Sequence, residues 1–139
     1  MSDGSDPALL SRRLEGLFVL AVDDDDHSRT ILSALLSMYG AHATVVGSAQ
    51  EALRALNRTS PDILVSDISM PEEDGLLLIQ KVRALGPEQS ASIPAIALTG
   101  LRGPEHRARA LAADFQEHLT KPLDIEHLVS GIERLTGRG

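Results

Sequence analysis

Cysteine and tryptophan are both absent from the 139 residues, and one Tyr and two Phe bring the aromatic content to only 2%. Without cysteine there are no disulfides, no thiolate zinc sites and no thiol nucleophile. Basic residues are in deficit, with 13 Lys and Arg against 20 Asp and Glu and a formal net charge of −7. That balance argues against binding nucleic acid through a broad basic face. Long apolar runs are missing too. None approaches the ~18 residues that a membrane span needs, so no membrane insertion is expected. The first residues, Met1 to Pro7, are polar and acidic, unlike the basic start of a secretory signal. The expected setting is cytoplasmic. What is present suffices for one domain with a core, since 42% of the residues are hydrophobic.

Residues 1–16 read as an N-terminal extension with a short charged helical piece from Leu9 to Leu14, residues 17–136 as the domain, and residues 137–139 as a C-terminal tail. Leu17 to Val22 is a continuous apolar run, too short for a helix and followed by four aspartates. Such a run suits a strand buried on both faces of a parallel sheet. A helical period follows, with Ile31, Leu35, Met38 and Tyr39 on one expected buried face and Gly40 as the stop. Ala43 to Val46 is a weaker strand. Ser48 and Glu51 have the spacing of a capping box ahead of Ala52, Leu53, Ala55 and Leu56. Ile63 to Val65 then makes a strand ending at Asp67, and Leu76, Ile79 and Val82 mark a helix closed by Gly86-Pro87. Ala95 to Leu98 is a strand ending at Thr99, Pro104 to Ala113 is helix-forming, and Glu117 to Thr120 is a strand ending at Lys121. Asp124 caps a last helix carrying Leu128, Ile132 and Leu135. Five strand–helix units in succession predict an α/β fold, a parallel sheet covered by helices on both faces.

In an open parallel sheet, ligands bind beyond the carboxyl ends of the strands. The residues expected there are Asp23 and Asp24, Asp67, Thr99 and Lys121, while the second strand ends in Gly47 and offers no side chain. Three carboxylates close together repel one another unless a positive charge intervenes. A divalent cation with oxygen ligands resolves this, and magnesium suits a site with few protein ligands. A carboxylate beside a cation, an ammonium and a hydroxyl is placed to attack a phosphoryl group, giving an aspartyl phosphate.

The stretches Val19-Leu20-Ala21-Val22-Asp23-Asp24, Asp67-Ile68-Ser69-Met70-Pro71 with Asp74-Gly75, Ala97-Leu98-Thr99-Gly100 and Leu119-Thr120-Lys121-Pro122 together resemble the motif set of bacterial response-regulator receiver domains. Each alone is weak; in this order, each at a strand end, they are specific. The resemblance covers about residues 17–136. It implies a flavodoxin-like (βα)5 fold with strand order 2-1-3-4-5. It also implies a signalling switch, not a turnover enzyme, that takes a phosphoryl group from the phosphohistidine of a sensor histidine kinase or a histidine phosphotransfer domain and acts on a downstream protein target. Carried onto this chain, Asp67 is the phosphoacceptor. Asp24 binds the metal directly and Asp23 binds it through water, with the backbone carbonyl of Ser69 as a further ligand. Thr99 and Lys121 contact the phosphoryl oxygens, and the Lys121–Pro122 peptide is expected to be cis.

His118 departs from the family pattern, which has an aromatic residue three positions before the Lys that swings inward with the Thr. It is the switch candidate, in a form that resembles receivers attached to hybrid kinases. Asp114 is a second departure, standing where Gly is common. Asp25 and Asp26 suit the positive end of a helix, and Asp74-Gly75 suits a turn. The five histidines, His27, His42, His106, His118 and His127, are too scattered for zinc. Two other functions stay open. One is a receiver-like docking module that takes no phosphate. The other is a phosphohydrolase of the haloacid-dehalogenase type, whose two aspartates are spaced like Asp23 and Asp25. The Met start favours a stand-alone regulator, and the stretch His118 to Leu123 favours part of a hybrid kinase.

Overall fold

The computed structural model describes residues 12–67, 75–84, 92–100 and 115–137. Five strands form one sheet: β1 (Phe18–Val22), β2 (His42–Val46), β3 (Ile63–Asp67), β4 (Ala95–Thr99) and β5 (Glu117–Thr120). Their order is β2-β1-β3-β4-β5 and every pairing is parallel, the flavodoxin-like arrangement. Four helices lie within the described residues: α1 (Asp26–Met38), α2 (Ala49–Thr59), α3 (Gly75–Arg83) and α4 (Ile125–Leu135). The helix expected over residues 104–113 lies outside them, as do Gly86-Pro87 and Asp114. None of the described helices is long and apolar enough to cross a membrane.

Successive side chains of a strand point to opposite faces, and the core divides accordingly. Leu20, Val22, Leu64, Ala95 and Ala97 pack with Ala52, Ala55 and Leu56 of α2 and with Leu78, Ile79 and Val82 of α3. Val19, Ala21, Ile63, Val65, Ile96 and Leu98 pack with Leu32 and Leu36 of α1 and Leu128, Val129 and Ile132 of α4. Burying one such Leu or Ile contributes roughly 1.5–3 kcal/mol. β3 and β4 are buried at every position, so they anchor the sheet.

The helix ends follow the sequence signals. Ser48 Oγ accepts from the Glu51 N–H at 3.1 Å, and Glu51 Oε1 accepts in return from the Gly47 N–H at 3.1 Å. Asp124 accepts from the Glu126 N–H at 2.9 Å. Gly40 follows α1 with φ +88°, a conformation that costs a residue with a Cβ.

The buried face of α1 differs from the expected one. Leu32 and Leu36 point into the core, whereas Ile31 and Met38 are 45% and 59% exposed. Apolar residues occupy adjacent positions 31–32 and 35–36, so periodicity alone leaves the rotation of the helix open. Packing on β1 and β4 decides it. Residues 12–16, grouped above with the extension, form a turn against the domain. Leu14 is fully buried, and its N–H donates to the Tyr39 carbonyl at 2.8 Å.

Candidate functional site

Strand register brings the expected residues to one rim. Val22 of β1 is level with Ser66 of β3, so Asp23 and Asp67 are neighbours. Asp67 is level with Leu98, and Thr99 with Thr120, so Thr99 and Lys121 complete the same edge. The Lys121 N–H donates to the Thr99 carbonyl at 2.7 Å, extending the β4–β5 ladder to the lysine. The Lys121–Pro122 peptide is cis, as the resemblance implies.

Asp23, Asp67 and Thr99 are buried, at 2%, 5% and 0% exposure, as is Ser66 beside Asp67. Asp24 is exposed. One carboxylate oxygen from each of Asp23, Asp24 and Asp67 lies within 4.8 Å of the others. Lys121 Nζ spans the cluster, 3.3 Å from Asp23 Oδ2 and 3.2 Å from Asp67 Oδ2. Burial works against the ammonium, yet the charges of Asp67 and Asp23 and the hydrogen bonds to them outweigh it. The Lys121 pKa is therefore held above the ordinary lysine value. Lysine is a compact point charge on a flexible stem, able to face both carboxylates at once.

The donor set is all oxygen, two carboxylates are sheltered, and the third faces solvent. This fits a hard divalent cation that keeps water in part of its shell, with Asp23, Asp24 and Asp67 as the candidate ligands. Ser69, whose carbonyl was expected to join them, lies outside the described residues. His118 stands half-buried on β5, level with Ala97. Asp25 lies outside the cluster. Its carboxylate accepts from the Ser28 N–H at 2.7 Å and caps α1, which holds its pKa below the ordinary value. The carboxylate that a phosphohydrolase would pair with Asp23 is thus engaged at the helix cap.

Arg29 was not among the expected residues. Its Nη1 donates to the Asp23 carbonyl at 2.8 Å, and its guanidinium also pairs with Asp26. The Asp26–Arg29 spacing hints at the ion pair, but no sequence pattern shows a side chain reaching a backbone carbonyl.

A family model described as the response regulator receiver domain matches residues 19–133. A 14.6 kDa protein from the sodA1 3′ region of Leptolyngbya boryana is 43% identical over 116 residues, 84% of this chain and 87% of that protein. The transcriptional regulatory protein ZraR of Escherichia coli is 31% identical over 120 residues, 86% of this chain but only 26% of ZraR, so the chain spans about a quarter of that regulator's length. Among solved structures, the receiver domain of the Francisella response regulator 1452 superposes with TM-score 0.79 at 29% identity, covering 88% of this chain and 98% of that one. The receiver domain of the sensor histidine kinase PA1611 from Pseudomonas aeruginosa, solved with magnesium coordinated in its active site cleft, gives TM-score 0.78 at 29% identity over the same shares. With its acidic cluster, lysine and strand order in place, this chain belongs to the family of response regulator receiver domains.

Proposed function

We propose that the chain is a magnesium-dependent phosphoacceptor whose Asp67 takes a phosphoryl group from a phosphohistidine. The observation that carries this reading is the sheltered Asp67 carboxylate, 3.2 Å from Lys121 Nζ and within reach of the Asp23 and Asp24 oxygens. In the transfer, an Asp67 oxygen forms a bond to phosphorus. The bond from phosphorus to the donor imidazole breaks, and its electron pair returns to the ring nitrogen. Asp23, Asp24 and Asp67, with the Ser69 carbonyl as a further ligand, would hold magnesium, which would supply charge neutralisation for the phosphoryl oxygens. Lys121 neutralises them from the other side, and the Thr99 hydroxyl donates to one of them.

The phosphohistidine belongs to a sensor histidine kinase or a histidine phosphotransfer domain, and a cytoplasmic location goes with either. Ile31 and Leu35 of α1, with Leu98, Pro122 and Leu123, line a groove of about 290 Å³ whose wall includes Asp23 and Lys121. Phosphorylation adds roughly −1.5 to −2 charges. Thr99 and Lys121 reorient around them, and His118 is the residue through which that movement reaches the β5 edge and a downstream protein.

Incubation with a small phosphodonor, an acyl phosphate or phosphoramidate, and magnesium, followed by intact mass, tests the reading. One phosphoryl group should add to the wild-type chain and none to Asp67→Asn. Equal labelling of both, or labelling indifferent to magnesium, contradicts it.

A further inference from the structure

Asp23 is held at all four of its polar atoms. Its N–H donates to the Val46 carbonyl at 3.0 Å. Its Oδ1 accepts from the Asp25 N–H at 3.0 Å, and its Oδ2 accepts from Lys121 at 3.3 Å. Its carbonyl accepts from Arg29 Nη1 at 2.8 Å. Three of these contacts come from the sheet, the loop itself or the cluster. The fourth comes from a helix side chain that reaches back over the loop.

The same Nη1 also lies against Gly47, at the end of β2. A Cβ built on Gly47 would lie 2.7 Å from Arg29 Nη1 and 3.1 Å from Arg29 Cζ. No positive φ is recorded for Gly47, so its missing side chain provides room and not backbone freedom. The Gly47 N–H is itself fixed by Glu51. The guanidinium therefore fills a slot between the β1–α1 loop and the end of β2, and the slot exists because residue 47 has no side chain.

We infer that Arg29 is a positioning residue for the acidic pair: seated against Gly47, it fixes the Asp23 carbonyl and so holds Asp23 and Asp24 where a divalent cation needs them. The inference rests on the proposed magnesium site and deepens it. Arg29 touches neither cation nor phosphoryl group. It acts as outer hydrogen-bond partners of metal ligands do, whose loss typically weakens metal binding by ~10–100-fold.

The test uses the full chain, with magnesium binding read by calorimetry and phosphorylation by a small acyl-phosphate or phosphoramidate donor read across a magnesium titration. In Arg29→Ala, the dissociation constant for magnesium and the half-saturating magnesium concentration should both rise by roughly tenfold. The rate at saturating magnesium should stay within about twofold of wild type, because a positioning residue alters assembly of the site and not the reacting atoms. Arg29→Lys, which keeps a donor without the planar fork, should recover part of the loss. Gly47→Ala should shift magnesium dependence in the same direction by displacing the guanidinium. The double variant should be no worse than Arg29→Ala alone, since the slot is then empty.

Unchanged magnesium affinity in Arg29→Ala or in Gly47→Ala overturns the inference. So do additive losses in the double variant, or a drop in saturated rate without a shift in magnesium dependence. Should Arg29→Ala fail to fold, Gly47→Ala and Arg29→Lys carry the same test. A wild-type chain that binds magnesium and is phosphorylated, with variants unaffected, sinks only the role of Arg29. A wild-type chain that does neither sinks the functional reading and this inference together.

Discussion

Two places in this molecule hold one cation between two carboxylates, and they differ in almost everything else. At the sheet rim, Lys121 lies between Asp23 and Asp67, whose side chains are 3% and 7% exposed. On the flank, Arg13 lies between Glu126 and Glu133, at 2.8 and 2.6 Å, with a further bond to Ser130. Tyr39 donates to the same Glu126 at 3.1 Å. Glu126 is 60% exposed, so water screens that arm of the network, while Glu133 on the other arm is 19% exposed. The flank uses a forked guanidinium that saturates its partners and ties the 12–16 turn to α4. The rim uses a point charge between two buried carboxylates, with the exposed Asp24 carboxylate beside them. Burial raises the cost of removing a partner, and the exposed Asp24 keeps the cluster accessible to a ligand from solvent. A clamp and a reactive centre are thus built from the same kinds of charge.

Removing each cation separates the two roles. Lys121→Met should produce the largest effect, lowering the phosphorylation rate at saturating magnesium by roughly 10²-fold, as loss of one preorganised charge at a reacting group does. Stopped reactions followed by intact mass measure it. A rate near wild type would put the rim in the same class as the flank.

The pH dependence of stability should come next, and it should run in opposite directions at the two places. The Lys121 pKa is raised, so its contribution is complete below the ordinary lysine value of 10.5 and is lost as pH climbs through the folded value. The Glu126 pKa is lowered by the hydrogen bonds from Arg13 and Tyr39. Its contribution is complete above the ordinary glutamate value of 4.5 and is lost as pH falls through the folded value. Thermal midpoints across pH should therefore show the wild type converging on Lys121→Met in alkali and on Arg13→Ala in acid. Convergence at the same end for both variants would refute the distinction.

Arg13→Ala at neutral pH should have the smallest effect. The expected change is a drop of a few degrees in the melting midpoint at low salt, less at high salt, and no change in phosphorylation rate, because exposed pairs contribute little and are screened. A loss of phosphorylation in this variant would show that the flank communicates with the rim.

Those two networks also differ in how far they could be read in advance. Asp23 follows and Asp67 ends a short apolar strand, Lys121 follows the polar strand Glu117–Thr120, and a parallel sheet gathers strand ends at one edge, so local pattern and topology together locate them. Arg13 sits in a stretch that reads as a charged extension, and its partners are 113 and 120 residues away. The rotation of α1 was hidden for a related reason: Ile31-Leu32 and Leu35-Leu36 present two apolar faces, and only contact with Val19, Ala21 and Leu98 selects one. The exposed face is the one that lines the groove beside the rim.

Strand and helix order, the caps at Ser48 and Asp124, the stop at Gly40 and the rim residues are properties of the sequence itself, because each depends on a neighbour within a few positions or on which residue ends a strand. The tertiary structure alone decided the phase of α1, the burial of Leu14, the reach of Arg13 to α4 and the seat of Arg29 against Gly47. These depend on surfaces that meet only after the chain has folded, where close packing and the pairing of buried polar groups choose among arrangements that local preference leaves equal.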